Sequence, residues 1–170
     1  MARGLRVADV MVKRAAVMLL QAAPLTPGKF VIVIAGGEEE VDLALRSGIE
    51  AAGDTIIDRL YLAKVDPQIG PAMAGRLPAA PVDALGIVET FSVAAALLSA
   101  DRAVKAAEAT LLQMRLARGL GGKAYYVLTG ELHQLEAAVE AGRSIIHDGM
   151  LLTTEIIPRP HPDLVRALLG

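Results

Sequence analysis

The sequence predicts an α/β chain of the α+β kind, built from two tandem copies of a split β-α-β-β-α-β unit, with the opening strand missing from the first copy. Two observations carry this. One is an internal repeat that runs through most of the 170 residues. The other is a hydrophobic period that alternates between helical and strand spacing in the same order in each copy. The core is small-grained, because 54% of residues are hydrophobic yet there are only three Tyr, two Phe and no Trp. So much apolar surface at a formal net charge of -2 favours self-association.

The repeat is direct. Residues 8–21 align with residues 100–113, so that Ala8, Asp9, Val12, Lys13, Ala15, Leu19, Leu20 and Gln21 recur 92 positions on. A two-residue insertion in the second copy then raises the spacing to 94, which pairs Gly28 with Gly122, Lys29 with Lys123, Gly36 with Gly130, Ala44 with Ala138, Gly48 with Gly142 and Asp54 with Asp148. Residues 1–67 are therefore read as the first domain and 83–170 as the second. The segment 68–82 between them contains Gly70, Pro71, Gly75, Pro78 and Pro81, which disfavour helix and strand, and is read as a linker.

In order, residues 7–21 have the apolar spacing of an amphipathic helix. Residues 30–34 form a short apolar run closed by glycine, which reads as a buried strand. Residues 38–52 return to helical spacing, with Glu38, Glu39 and Glu40 in the first turn, where the helix dipole favours acids. Residues 56–65 read as a closing strand. The second copy opens with a strand at 84–90, followed by a helix at 94–109, strands at 111–116 and 124–128, a helix at 131–146 and a strand at 151–157. That order is the ferredoxin-like split βαβ pattern, an antiparallel sheet with helices on one face. Met1 aligns with Val93, past the opening strand, so the first copy lacks the strand that would lie at the centre of its sheet. Either the chain is shortened there or a strand from another segment or chain fills the gap.

Four segments of the second copy carry a family resemblance: Gly86-Ile87-Val88-Glu89-Thr90, the helix from Ala100-Asp101 to Val104-Lys105-Ala106-Ala107, the turn Gly119-Leu120-Gly121-Gly122-Lys123, and the tail Ile157-Pro158-Arg159-Pro160-His161. The first copy repeats the helix signature and has the turn Pro27-Gly28-Lys29. Together they resemble the tandem-domain shell proteins of bacterial microcompartments, and among these the trimeric shell proteins of propanediol utilisation.

The resemblance implies a homotrimer whose six domains form a pseudo-hexameric plate, tiled with other shell proteins in a cytoplasmic microcompartment, with a pore on the threefold axis. By position, Leu25, Thr26, Pro27 and Gly28 of the first copy and Arg118, Gly119, Leu120 and Gly121 of the second would line that pore. Three copies of Arg118 would favour anionic metabolites. Lys13, Lys105, Arg159 and His161 would serve the plate's edges. The resemblance also implies an axial iron-sulfur cluster held by a pore-loop cysteine, but this chain has no cysteine and Thr26 stands at that place. A hydroxyl does not replace a thiolate there, so no cofactor is expected.

Other chemistries fit poorly. The turn before Lys123 has Ala117 and Ala124 where a phosphate-binding Walker loop needs Gly and Ser or Thr. His133, His147 and His161 show no metal-ligand spacing, and no serine lies in a Gly-x-Ser-x-Gly elbow. There is no basic run for nucleic acid, and no apolar run approaches the roughly 20 residues needed to cross a bilayer. Asp9, Lys13 and Arg14 interrupt any signal-like core near the N-terminus, so the chain reads as soluble and untargeted. The alternatives are a metabolite-binding regulatory protein of the same fold and, with less to support it, an enzyme.

Overall fold

The computed structural model describes residues 1–117 and 120–169, in two compact units, Met1–Ala63 and Lys64–Gly170. In the second unit the elements are β3 (Ala84–Thr90), α4 (Val93–Ala106), β4 (Thr110–Leu116), β5 (Ala124–Gly130), α5 (Leu132–Ser144) and β6 (Leu151–Pro158). They follow α1 (Ala2–Arg14), β1 (Met18–Leu25), β2 (Lys29–Ala35) and α2 (Glu38–Ala52) of the first unit, and the second unit's short α3 (Ile69–Met73). The sheet order is β4-β5-β3-β6, antiparallel throughout, so the opening strand β3 is paired on both edges. This is the ferredoxin-like arrangement expected from the sequence.

The alternation of side chains along β3 assigns its two faces. Gly86 lies under α5, where a Cβ would fall 2.7 Å from Val139 and 3.1 Å from Leu135. Leu85 points the other way, into a cluster with Leu112 and Val127. Helices α4 and α5 approach closely because small residues meet at their contact. Ala96, Ala100, Ala103 and Ala138 are all fully buried, and a Cβ on Gly142 would fall 3.0 Å from the Ser99 carbonyl oxygen. Ser92 caps α4, its side chain accepting from the Ala95 amide at 3.0 Å.

The second unit departs from the sequence reading in two places. First, residues 68–82, read as a linker, are packed on the second unit. The unit begins at Lys64, and Ile69–Met73 forms the short helix α3 with Ile69 and Ala72 only 2% exposed. Pro71 is tolerated because it falls in the first turn, where its missing N–H would have had no intrahelical partner. Gln68 completes the anchoring. Its side-chain oxygen accepts from the Leu111 amide at 2.8 Å and its amide donates to the Ala109 carbonyl, covering the outer edge of β4.

Second, helices do not lie on one face alone. The tail forms α6 (Pro162–Leu169), and its Leu168 and Leu169 pack with Ala80 and Val82 on the Leu85 cluster. Pro162 at the first helical position and the spacing Leu164, Val165, Leu168 were the signals for it.

The first unit has α1 (Ala2–Arg14), β1 (Met18–Leu25), β2 (Lys29–Ala35) and α2 (Glu38–Ala52), then a single 3₁₀ turn at Gly53–Thr55. Val7, Met11 and Ala44 form its buried centre, flanked by Ile32, Ile34 and Leu45. The helix expected over 7–21 begins earlier and stops at Arg14. The apolar run Met18-Leu19-Leu20 fits either period, and pairing with β2 from Met18↔Ala35 to Leu25↔Lys29 decides for a strand.

The closing strand expected at 56–65 is absent, and Ile57 is 58% exposed. The reason is visible in the second unit, where the closing strand β6 pairs with β3 and nothing else. With no counterpart of β3, residues 56–63 have no ladder to join, and the first unit's sheet stays two-stranded among the described residues.

Tyr126 ties the second unit's sheet to α4, with its hydroxyl 2.6 Å from Ser99 Oγ and its side chain fully buried. Burial pushes the phenol well above its ordinary value, and the Ser99 hydrogen bond opposes this only in part. The folded chain therefore keeps the proton, whereas an unfolded tyrosine loses it near pH 10. The contribution to stability is complete below that pH and declines above it, by up to about 1.4 kcal/mol per pH unit. Denaturant titrations between pH 9 and 11 are expected to show this decline, and Tyr126→Phe is expected to flatten it.

Candidate pore loops and assembly edge

The turn between β1 and β2 presents Thr26, Pro27 and Gly28 to solvent. The Gly28 amide donates to the Leu25 carbonyl at 2.9 Å, and the turn needs glycine there because φ is +103°. Leu25, expected to line a pore with them, is only 6% exposed and anchors the turn from beneath. In the second unit the matching turn joins β4 to β5. Arg118 and Gly119 lie outside the described residues. Gly121 is exposed and Leu120 half-buried, and the Leu120 amide donates to the carbonyl of buried Ala117 at 3.3 Å. The Lys123 ammonium lies 5.8 Å from the centroid of the Phe91 ring, a cation–π contact that holds it on the unit's own surface.

The two repeated lysines differ in setting. Lys13 pairs with Asp9 at 2.7 Å, both largely exposed. Lys105 makes the equivalent pair with Asp101 at 2.6 Å, but the Asp101 side chain is only 9% exposed, and Lys105 also donates to the Lys64 carbonyl at 2.7 Å. Asp101 in turn accepts from the Asp66 amide at 2.8 Å. An ammonium carries three donors, so two are used and one remains on a side chain 36% exposed. The lysine is thus held in place while keeping a free bond to give. The parts played by Asp101 and Asp66 were not read from the sequence; the i, i+4 spacing of Asp101 and Lys105 was the available signal.

Arg159 is exposed, and its backbone is left-handed, with φ +49° and its amide donating to the Asp83 carbonyl at 3.1 Å. This turns the chain from β6 into α6 and leaves the guanidinium without an intramolecular partner among the described residues. His161 acts locally, its Nδ1 accepting from the Asp163 amide at 3.2 Å and so capping α6. Among the described residues no three His, Asp or Glu side chains gather as a metal site would require. What the geometry offers is two exposed turn tips, a lysine held at Lys105 and an unpartnered guanidinium at Arg159 among the described residues.

A protein-family model described as the BMC domain matches residues 1–65 and 84–160. The chain belongs to the BMC-domain family. It is 38% identical over 169 residues to the bacterial microcompartment shell protein PduT of Citrobacter freundii, covering 99% of this chain and 92% of that one. It is also 33% identical over 88 residues to the shell protein PduA of Salmonella typhimurium, which takes up 51% of this chain and 90% of the other. The crystal structure of a microcompartment protein from Desulfitobacterium hafniense superposes with a TM-score of 0.89 at 38% identity, over 98% of this chain and 93% of that one. Two BMC domains thus stand in tandem, and the relatives named here are shell proteins of bacterial microcompartments.

Proposed function

We propose that this BMC-domain protein is a facet tile of a bacterial microcompartment shell, a homotrimer in which six domains make a pseudo-hexameric plate around a central pore. The observation that carries the reading is the whole-length likeness to a shell protein, with a BMC domain in each half of the chain. Thr26, Pro27 and Gly28, with Leu120 and Gly121, supply the pore rim, and Leu25 supports it. Arg118 and Gly119 belong to the same rim by sequence, and three copies of Arg118 bias passage toward anionic metabolites. The protein acts without catalysis and without a bound cofactor. Thr26 offers a hydroxyl where an iron-sulfur cluster needs a thiolate, and anaerobic reconstitution with iron and sulfide should leave no cluster absorption band.

The test of assembly is native mass in dilute solution. The expected value is three times the chain's 17.8 kDa; a monomer that persists at high concentration overturns the trimer. Lateral tiling rests on Lys105 and Arg159, through the lysine's remaining donor and the unpaired guanidinium. Arg159→Ala and Lys105→Ala are each expected to keep the trimer and reduce sheet formation seen by electron microscopy several-fold, with Lys13→Ala and His161→Ala doing less. Unaltered sheets from both variants would remove these residues from the edge.

A further inference from the structure

The second unit holds a small cavity that its core does not fill. It lies between the segment running through α3, the strand β4 and the helix α6, and its volume is about 200 Å³. Ala72, Leu77, Leu112, Leu168 and Leu169 form its apolar walls. Gly75 leaves room beside them, since the position a Cβ would take there is open. Leu77 remains 45% exposed although it lines the cavity, so the fold leaves part of this apolar wall uncovered. The remaining wall is polar and comes from β4. Gln113 is only 8% exposed, and its side-chain oxygen accepts from Arg115 Nη2 at 2.9 Å and Nε at 3.1 Å. A guanidinium has five N–H donors, so this fork takes two of them, fixes the plane of the group and leaves the others to bind. Arg115 is exposed and forms no ion pair among the described residues.

We infer that this cavity binds a short unbranched monocarboxylate, with the carboxylate on Arg115 and the alkyl chain among the leucines. Size, lining and charge choose the ligand. The volume lies below the roughly 300–1,000 Å³ of sites for drug-sized molecules, so only a small molecule fits. The apolar walls favour an alkyl chain and disfavour a second charge, which would lose its water and find no partner. The guanidinium held by Gln113 presents a planar fork that matches the two oxygens of a carboxylate. Every wall belongs to the second unit, so the site goes beyond the shell role and does not depend on the trimer.

The test is a titration of the full chain, its leucine methyl groups labelled for NMR, with butyrate, and in parallel with n-butylammonium and with inorganic phosphate. Butyrate is expected to shift the methyl signals of Leu77, Leu112, Leu168 and Leu169 and to saturate with a Kd of about 1 mM, the range open to so small a ligand. Neither of the other two is expected to shift them at the same concentration. Arg115→Gln is expected to weaken butyrate about 10-fold, and Arg115→Lys about 3-fold, because lysine keeps the charge but loses the fork. Arg115 is exposed, so both variants are expected to keep the parent's methyl spectrum without ligand. Absence of saturation by about 50 mM butyrate overturns the inference. An equal response to n-butylammonium also overturns it, since the cavity would then be merely apolar, and so does an equal response to phosphate, which would make it a site for any anion. An unchanged Kd in Arg115→Gln overturns it as well, because the carboxylate would then lie elsewhere.

Discussion

Gly86→Val is expected to unfold the second unit under conditions where the parent chain is folded. Valine suits a strand better than glycine, by at most ~1 kcal/mol. Against that, the new Cβ would fall 2.7 Å from Val139 and 3.1 Å from Leu135, which are buried and have no space into which to retreat. Overpacking of this kind costs typically about 1–3 kcal/mol and more where the neighbours are fixed, and valine adds two methyl groups beyond Cβ. The strand is also the centre of the sheet, so a shift of β3 disturbs its pairing with both β5 and β6. We expect a loss of about 3 kcal/mol or more in denaturant unfolding. A midpoint equal to the parent's would show that α5 is free to lift.

Asp101→Ala is expected to cost about 2–3 kcal/mol, and Asp9→Ala, its equivalent in the first copy, under about 0.5. The local sequences are nearly the same and both aspartates pair with a lysine four residues on. Setting decides the difference. Asp9 and Lys13 are mostly in water, where such a pair is worth little. Asp101 is nearly buried, and its loss leaves both the Asp66 amide and the Lys105 ammonium short of an acceptor. Urea titration of the two variants side by side makes the comparison, and equal effects would contradict it.

The fold of the second copy was legible because its signals agree: a strand pattern at 84–90, helical spacing after it, and glycines that recur in register between the copies. The first copy was legible only where its elements keep their partners. Residues 56–65 carry a strand's composition, but strand formation depends on a neighbour, and periodicity does not report whether the neighbour exists. Residues 18–21 were misread for a related reason, since Met18-Leu19-Leu20 satisfies helix and strand alike until β2 is there to pair with. The Pro- and Gly-rich segment 68–82 joins the two copies, but its composition does not show that it packs. Its breakers mark bends in a packed segment, held by buried Ile69 and Ala72 and by the Gln68 bonds to β4.

The edge cations were named from the sequence, but not the settings the structure gives them. Lys105 and Lys13 look equivalent in the repeat, and only the positions of Lys64 and Asp66 separate them. Of the residues named for the turns, Leu25 differs from Thr26, Pro27 and Gly28 because it ends β1 with its side chain inward, a register effect that motif matching does not see.

The unequal completeness of the two sheets bears on what a melting curve of this chain reports. A two-stranded ribbon under two helices and a four-stranded sheet packed on both faces have different enthalpies and heat capacities of unfolding, so all-or-none behaviour is not to be assumed. Where the two units melt separately, a single fitted midpoint mixes two transitions. The chain's own chromophores separate the halves: with no tryptophan, its fluorescence comes from Tyr61 in the first unit and from Tyr125 and Tyr126 in the second.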